Sequence, residues 1–277
     1  MSELSTAESY LHDFHQRVVG STTAAFASLP TTTNGVTHRS SYDLLASLIP
    51  AGPKPVRVLD VGCGDGHLLG LLAERKQPGL RLIGVDMSQG ELDAAKLLLP
   101  VDVTLLRERA QHLSIKNDTI DFALSHMALM LMDDIELVFS EIRRVLNCAG
   151  MIAFVVGRSF LLGPINQAYL DTLRPIARRE GAALQFGDSR MQSEDGWKAL
   201  MSASFSDIRC ANVDVRWRPT PSELWESLAT TYDVDRLSLT GQDELRDRFF
   251  ATLVNLQEGD GRVSTGWGQR LFTARSA

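Results

Sequence analysis

Two periodicities alternate along the middle of this chain. An apolar alternating run from Val56 ends at Asp60 and reads as a strand, and Leu68, Leu69, Leu71 and Leu72 then recur at helical spacing. That switch, from a period of two to one of three to four, marks a strand feeding a helix. The exchange repeats downstream. Arg81 to Asp86 is a second strand, and Ser88 with Glu91 three residues later is a capping box that opens a helix to Leu99. Val101 to Leu106 is a third strand and Ile120 to Ser125 a fourth. Asp133 and Asp134 open a helix carrying Arg143 and Arg144 near its end, where cations suit the helix dipole. Gly150 precedes a fifth strand, Met151 to Val156. Strands alternating with helices predict a parallel sheet covered on both faces.

The flanks are less regular. Residues 3–19 read as a helix through Leu4, Ala7, Leu11, Phe14 and Val18, with His12 and His15 beside the stripe. Residues 20–36 are rich in Thr, Ser and Gly and predict a loop around a short Ala-Ala-Phe-Ala turn. A helix through Leu44, Leu45, Leu48 and Ile49 follows and ends at Pro50, Gly52, Pro53 and Pro55. This quarter precedes the first sheet strand, so it must pack over the domain or cap its site. Residues 160–200 read as helices with a loop near 181–188, Ile208 to Trp217 as a strand, 221 onward and 242–257 as helices, and Gln269 to Ala274 as a last edge strand. The expected layout is one domain over 1–277: an N-terminal helical cap (1–50), a core (55–157), then cap helices and final strands (158–277).

Composition narrows the function classes. The chain has 277 residues, 44% hydrophobic and 22% charged, which is ordinary for a globular domain with a sizeable core. Its net charge of −6, without a dense basic block, argues against a nucleic-acid partner. No run of 18 apolar residues predicts a membrane-spanning helix, and the first residues lack a signal-peptide pattern. Cys63, Cys148 and Cys210 show no metal-ligand spacing, so no metal is expected and a reduced, cytoplasmic setting fits. A homodimer is allowed but not indicated.

The chemistry concentrates where the first strand meets the first helix, at Asp60-Val61-Gly62-Cys63-Gly64-Asp65-Gly66-His67. Glycines there permit unusual φ/ψ and let a ligand approach the backbone, and the helix N-terminus adds free N–H groups. A dinucleotide fingerprint would need a glycine where His67 stands. The pattern Asp-x-Gly-x-Gly-x-Gly instead resembles motif I of the class I S-adenosylmethionine (SAM)-dependent methyltransferases, and the resemblance spans roughly residues 55–157. It implies an α/β fold: a doubly wound, mainly parallel, seven-stranded sheet of Rossmann-like methyltransferase type. The last two strands would pair antiparallel, with an N-terminal helical cap and late helical insertions. The cofactor implied is SAM, leaving as S-adenosylhomocysteine. Gly62, Cys63, Gly64 and Gly66 would cradle its methionyl part, with Asp60 towards its amino group.

Further residues extend this site. Asp86 ends the second strand 20 residues beyond Gly66, where a carboxylate accepts two hydrogen bonds from ribose hydroxyls. Met87 is an apolar neighbour for adenine. Arg109-Ala110-Gln111 follows the third strand; related enzymes often carry Asp-Ala there, with the Asp on the adenine amino group. Arg109 has no acceptor for that group, so Ala110, Glu108 or Gln111 would take the contact over. Ser125 and His126 interrupt an apolar run at the end of the fourth strand, beside the expected methyl. An imidazole pKa of about 6.5 suits a general base, and the alternative is a buried histidine bonded to backbone. Arg39 is the candidate for the SAM carboxylate, since a guanidinium binds a carboxylate bidentately; Trp197, Trp217, Trp225, Phe160 and Tyr169 are core or pocket residues. The resulting reading is methyl transfer to a small, largely apolar or aromatic metabolite. Rival readings are an NAD-dependent oxidoreductase, a non-catalytic SAM-binding partner protein, and a SAM-dependent cyclisation.

Overall fold

The computed structural model describes residues 4–182 and 184–276; residues 1–3, 183 and 277 lie outside it. Its organising element is one sheet whose strands run in the order β2-β1-β8-β9-β7-β6-β3-β4-β5. The expected strands are β3 (Val56–Val61), β4 (Leu80–Asp86), β5 (Thr104–Arg107), β6 (Ile120–His126), β7 (Leu146–Ser159), β8 (Phe205–Trp217) and β9 (Thr265–Ser276), but β9, expected at the edge, lies inside the sheet between β8 and β7, where it finds hydrogen-bond partners on both sides. From β7 to β5 every pairing is parallel, whereas β9 runs antiparallel to both β7 and β8.

The expected count of seven strands is corrected to nine among the described residues. The additional pair is β1 (Thr31–Thr33) and β2 (Val36–His38), a hairpin that joins the sheet edge through β1 against β8. It lies in the stretch read as a loop. The physical reason was present in the sequence: β-branched threonines flank Asn34-Gly35, both at positive φ (48° and 78°), as a tight two-residue hairpin turn requires. Thr33 Oγ1 also donates to Asn212 O at 2.9 Å, fixing the hairpin to β8.

Helices cover both faces. On one side Leu45 of α3 (Ser41–Ser47), Leu68, Leu69 and Leu72 of α4 (His67–Ala73), and Leu92 of α5 (Gln89–Leu98) pack with α7 (Pro164–Arg179), α9 (Pro221–Ala229) and α11 (Leu239–Leu253). On the other, α6 (Ile135–Val145) buries Ile135, Val138, Phe139, Ile142 and Val145 along one stripe, against Trp197 of α8 (Glu194–Met201) and Phe154 and Phe272 of the sheet. Arg144 ends α6 by donating to Leu113 O and Ile115 O (2.8 and 2.9 Å) while paired with Glu141, which fixes the chain beyond β5.

The N-terminal segment forms α1 (Thr6–Arg17) and α2 (Ser21–Phe26). Ser5 and Glu8 cap α1 reciprocally. This helix lies against α5 and against the short α10 (Tyr232–Asp235): Tyr10 OH donates to Asp235 at 2.9 Å, Arg17 pairs with Asp235, and Phe14 meets Tyr232 ring to ring at 4.8 Å. The carboxyl ends of β3, β4 and β6 therefore open beneath a roof made by the two ends of the cap.

Candidate active site

The carboxyl ends of parallel strands carry the loops that form ligand crevices. Here they border two adjoining cavities that share His15, Gly62, Asp86, Ala128 and Leu131 as walls. The first is lined by the glycine turn, Asp60, Asp65, Glu91, Tyr42, His126, Met127 and Tyr232. The second is lined by Glu8, Leu11, Met87, Arg109, Ala110, Gln111 and Met132.

The turn after β3 has Gly62, Gly64 and Gly66 all at positive φ. At Gly64 a Cβ would project into open space, with only Glu91 Oε2, at 3.8 Å, within contact range. That space is the first cavity, so a side chain at 64 would occupy the ligand's place. Asp86 stands where the two cavities meet. Its carboxylate accepts from Gly64 N and Ser88 N, both at 2.9 Å, which orients it. Burial still raises its pKa against the pull of those two N–H groups.

Asp60 is buried, and its Oδ1 has no hydrogen-bond partner. Burial, reinforced by the charges of Asp86 and Asp65, pushes its pKa up to about 8. Asp60, Asp65, Asp86 and Glu91 all line the first cavity, and among the described residues no Lys or Arg does. A buried carboxylate without a partner is costly. The arrangement therefore favours a cationic ligand group that supplies the missing donor.

His126 ends β6 in a fully enclosed position. Its Nε2 lies 2.8 Å from Ser41 Oγ, its ring stacks on Tyr42 at 3.7 Å, and Nδ1 has no partner. The expected pKa near that of a free imidazole does not hold here. Burial carries it down to about 3, helped by neighbouring His67, so the ring is neutral and weakly basic. Met127 follows at a φ of 56°, a left-handed conformation unusual for its side chain, which turns the chain over the cavity.

The structure brings together Asp60, Gly62, Cys63, Gly64, Asp86 and His126 in the first cavity, and Met87, Arg109, Ala110 and Gln111 in the second. Three expected residues lie elsewhere. Gly66 starts α4 and faces Leu99 and Ala95. Ser125 donates to Val61 O at 2.7 Å, a bond that ties β6 to β3. Arg39 does not reach towards the cavity: its side chain is 82% exposed and pairs with Asp43 four residues on, the nearest carboxylate on its own segment.

Other residues at the site carried weaker sequence signals. Glu91 was legible as a helix cap. Ser88 does accept from its N–H, but the Glu91 side chain turns away to meet Gly20 N (3.1 and 3.2 Å) and His15 Nδ1 (2.8 Å), so the capping box is only half formed. His15 Nε2 in turn lies 2.9 Å from Tyr232 OH, and Thr23 Oγ1 donates to Asp65 at 2.7 Å. Nothing in the sequence marked Tyr232, which arrives from a late helix.

Comparison with known proteins agrees with this geometry. Residues 59–154 match the family described as "Methyltransferase domain". That stretch, from β3 to β7, is thus similar to a methyltransferase domain. A malonyl-[acyl-carrier protein] O-methyltransferase of Methylococcus capsulatus is 30% identical over 128 residues, 46% of each chain. One from Priestia megaterium is 21% identical over 221 residues, 76% of this chain and 78% of that one. The chain thus spans about half the length of most of the curated relatives it matches. Among solved structures, a putative type II methyltransferase from Anaeromyxobacter dehalogenans superposes with a TM-score of 0.60 at 19% identity, covering 85% of this chain and 94% of that one. The [4+2]-cyclase SpnF superposes at 0.56 and 17% identity, covering 100% and 97%. The Rossmann-like methyltransferase fold expected from the glycine turn is the fold observed.

The raised pKa of Asp60 predicts how stability changes with pH. An unfolded aspartate titrates at about 3.9, well below the folded value. The stability this neutral group contributes is complete below about 3.9, declines as pH rises, and is gone once pH has passed through 8. Asp60→Asn removes that dependence. Urea midpoints of the ligand-free protein should show Asp60→Asn gaining on wild type between pH 5 and 8; parallel curves over that range would contradict the assignment.

Proposed function

We propose that this chain is a SAM-dependent methyltransferase acting on a small, neutral, largely apolar or aromatic acceptor. The observation that carries the cofactor half is Asp86 at the junction of the two cavities, beside the glycine turn and the unpartnered Asp60 oxygen. Asp86 would hold the ribose hydroxyls, Asp60 the ammonium, and the Gly62–Gly64 backbone the methionyl chain. Met87 and Ala110 would flank the base. When bound, SAM supplies a methyl group already activated by its sulfonium charge. What remains for the chain's own residues is to align the acceptor and exclude water. The roof of Tyr10, Phe14, His15 and Tyr232 supports the second task.

The acid-lined first cavity also bears on the acceptor. The relatives' names give malonyl-[acyl-carrier protein] as their substrate. A free carboxylate on the acceptor would add to the one the cofactor itself carries beside Asp60, Asp65, Asp86 and Glu91, where the lining residues include no lysine or arginine and only the cofactor's own positive charge offsets it. A neutral acceptor avoids that cost.

His126 then orients rather than deprotonates. In the tautomer whose Nε2–H donates to Ser41 Oγ, the neutral imidazole leaves Nδ1 to accept a hydrogen bond from the acceptor. Loss of one such bond is worth up to about tenfold in turnover. With an acceptor found by screening for S-adenosylhomocysteine release, His126→Ala should fall by about that factor. His126→Asn, which keeps an acceptor atom, should recover most of it. A wild-type pH–rate limb near 6.5 that disappears in His126→Ala would return the residue to the role of base.

Calorimetry tests the cofactor. Wild-type protein should bind S-adenosylhomocysteine and not NADH. Asp86→Ala should lose about 1–3 kcal/mol, the range for hydrogen bonds to a charged group, and Gly64→Val should not bind measurably. Preference for NADH, or wild-type affinity in both variants, overturns the reading.

A further inference from the structure

We propose that Glu8, on the N-terminal helix, is the group that reads the adenine amino group, so that the helix roofing the site is part of the cofactor site itself. This rests on the cofactor reading above. The starting point is Arg109, which stands in the loop after β5 and cannot accept a hydrogen bond. Its guanidinium turns across the second cavity and ion-pairs with Glu8 Oε1. A carboxylate from a segment 101 residues away in sequence is thereby delivered to the wall facing Met87 and Ala110.

Glu8 is only 5% exposed, yet it lines the cavity. Its hydrogen bonds can be counted. Oε1 accepts from Arg109 and, at 3.5 Å, from Gln111 Nε2; Oε2 accepts from Ser5 N at 3.3 Å. A carboxylate offers about four lone-pair sites, so among the described residues one is left on Oε2. An exocyclic amino group carries only N–H donors and needs such an oxygen. Glu108 and Gln111 also line this wall and each keeps an acceptor oxygen, but Glu108 Oε2 accepts from Ser114 N at 2.9 Å within its own loop and the Gln111 amide nitrogen donates to Asp133 O at 2.8 Å; the carboxylate that the roofing helix brings to the cavity is Glu8. Glu8 is also an anchored group, since it forms half of the capping box that starts α1.

The consequence reaches beyond the base. Tyr10 and Arg17 of the same helix hold Asp235, and His15 holds Glu91 and Tyr232. A 6-amino group bonded to Glu8 would therefore favour the closed position of α1 over the whole cavity. A base that presents an oxygen at position 6 would place an acceptor against the carboxylate and disfavour closure.

The test compares S-adenosylhomocysteine with its 6-oxo analogue, S-inosylhomocysteine, by calorimetry. Wild type should prefer the amino form by at least about tenfold, the discrimination expected of a charge-assisted hydrogen bond. Glu8→Gln keeps the capping box, because Gln serves at that position too, and offers an amide that donates to the 6-oxo group. Its preference should fall close to unity. Amide exchange on the unmodified protein gives a second reading: the amino form should slow exchange across residues 8–17 more than the 6-oxo form does. Equal wild-type affinity for the two ligands, an unchanged ratio in Glu8→Gln, or equal protection of α1 overturns the role of Glu8. Failure of wild type to bind either ligand overturns the cofactor reading on which it rests.

Discussion

The structure depends on negative charge withheld from water at the carboxyl edge of its sheet. Taking a carboxylate out of water costs several kcal/mol unless partners replace the lost hydration. Asp86 has two backbone N–H partners and Glu91 has Gly20 and His15, but Asp60 Oδ1 has none. The protein meets part of that cost by keeping Asp60 protonated, with its pKa near 8. Such a group is poorly explained by stability alone. It is well explained as half of a contact whose other half is a cationic ligand group.

The same constraint accounts for the roof. Glu91 is drawn from the start of α5 towards the N-terminal segment, where Gly20 N and His15 satisfy it, and His15 passes the connection to Tyr232. Glu8 does the corresponding work over the second cavity through Arg109. Residues far apart in sequence are joined across the cavities by carboxylates that need donors. Removing α1 would expose the aromatic cluster, take His15 from Glu91 and take Glu8 from Arg109, so the cap is tied to the core across both cavities.

Much of this was legible in sequence, and the limits have physical causes. The parallel strands and the glycine turn carry strong local signals, period and φ preference, and both appear as expected. The hairpin at 31–38 was not recognised, because polar threonines mask a strand whose partner, β8, lies over 170 residues away, although Asn34-Gly35 announced its turn. Asp60, Asp86 and the residues after β5 were located by their place at strand ends. Arg39 suits a carboxylate ligand by its chemistry alone, and Asp43, four residues on, captures it. The identity of His126 was readable, but its basicity was not, because burial beside Tyr42 and Ser41 is a property of the packed fold. Tyr232 and Glu8 reach the site through tertiary contacts that no local pattern encodes.

The central claim is that the unpartnered acid at the end of β3 awaits a cation. A crystal structure of the protein with S-adenosylhomocysteine tests it most directly. The account predicts the ligand's ammonium within hydrogen-bond distance, about 3 Å, of Asp60 Oδ1, with the ribose hydroxyls on Asp86. A ligand bound elsewhere, or bound here with Asp60 Oδ1 still facing no donor, would contradict it.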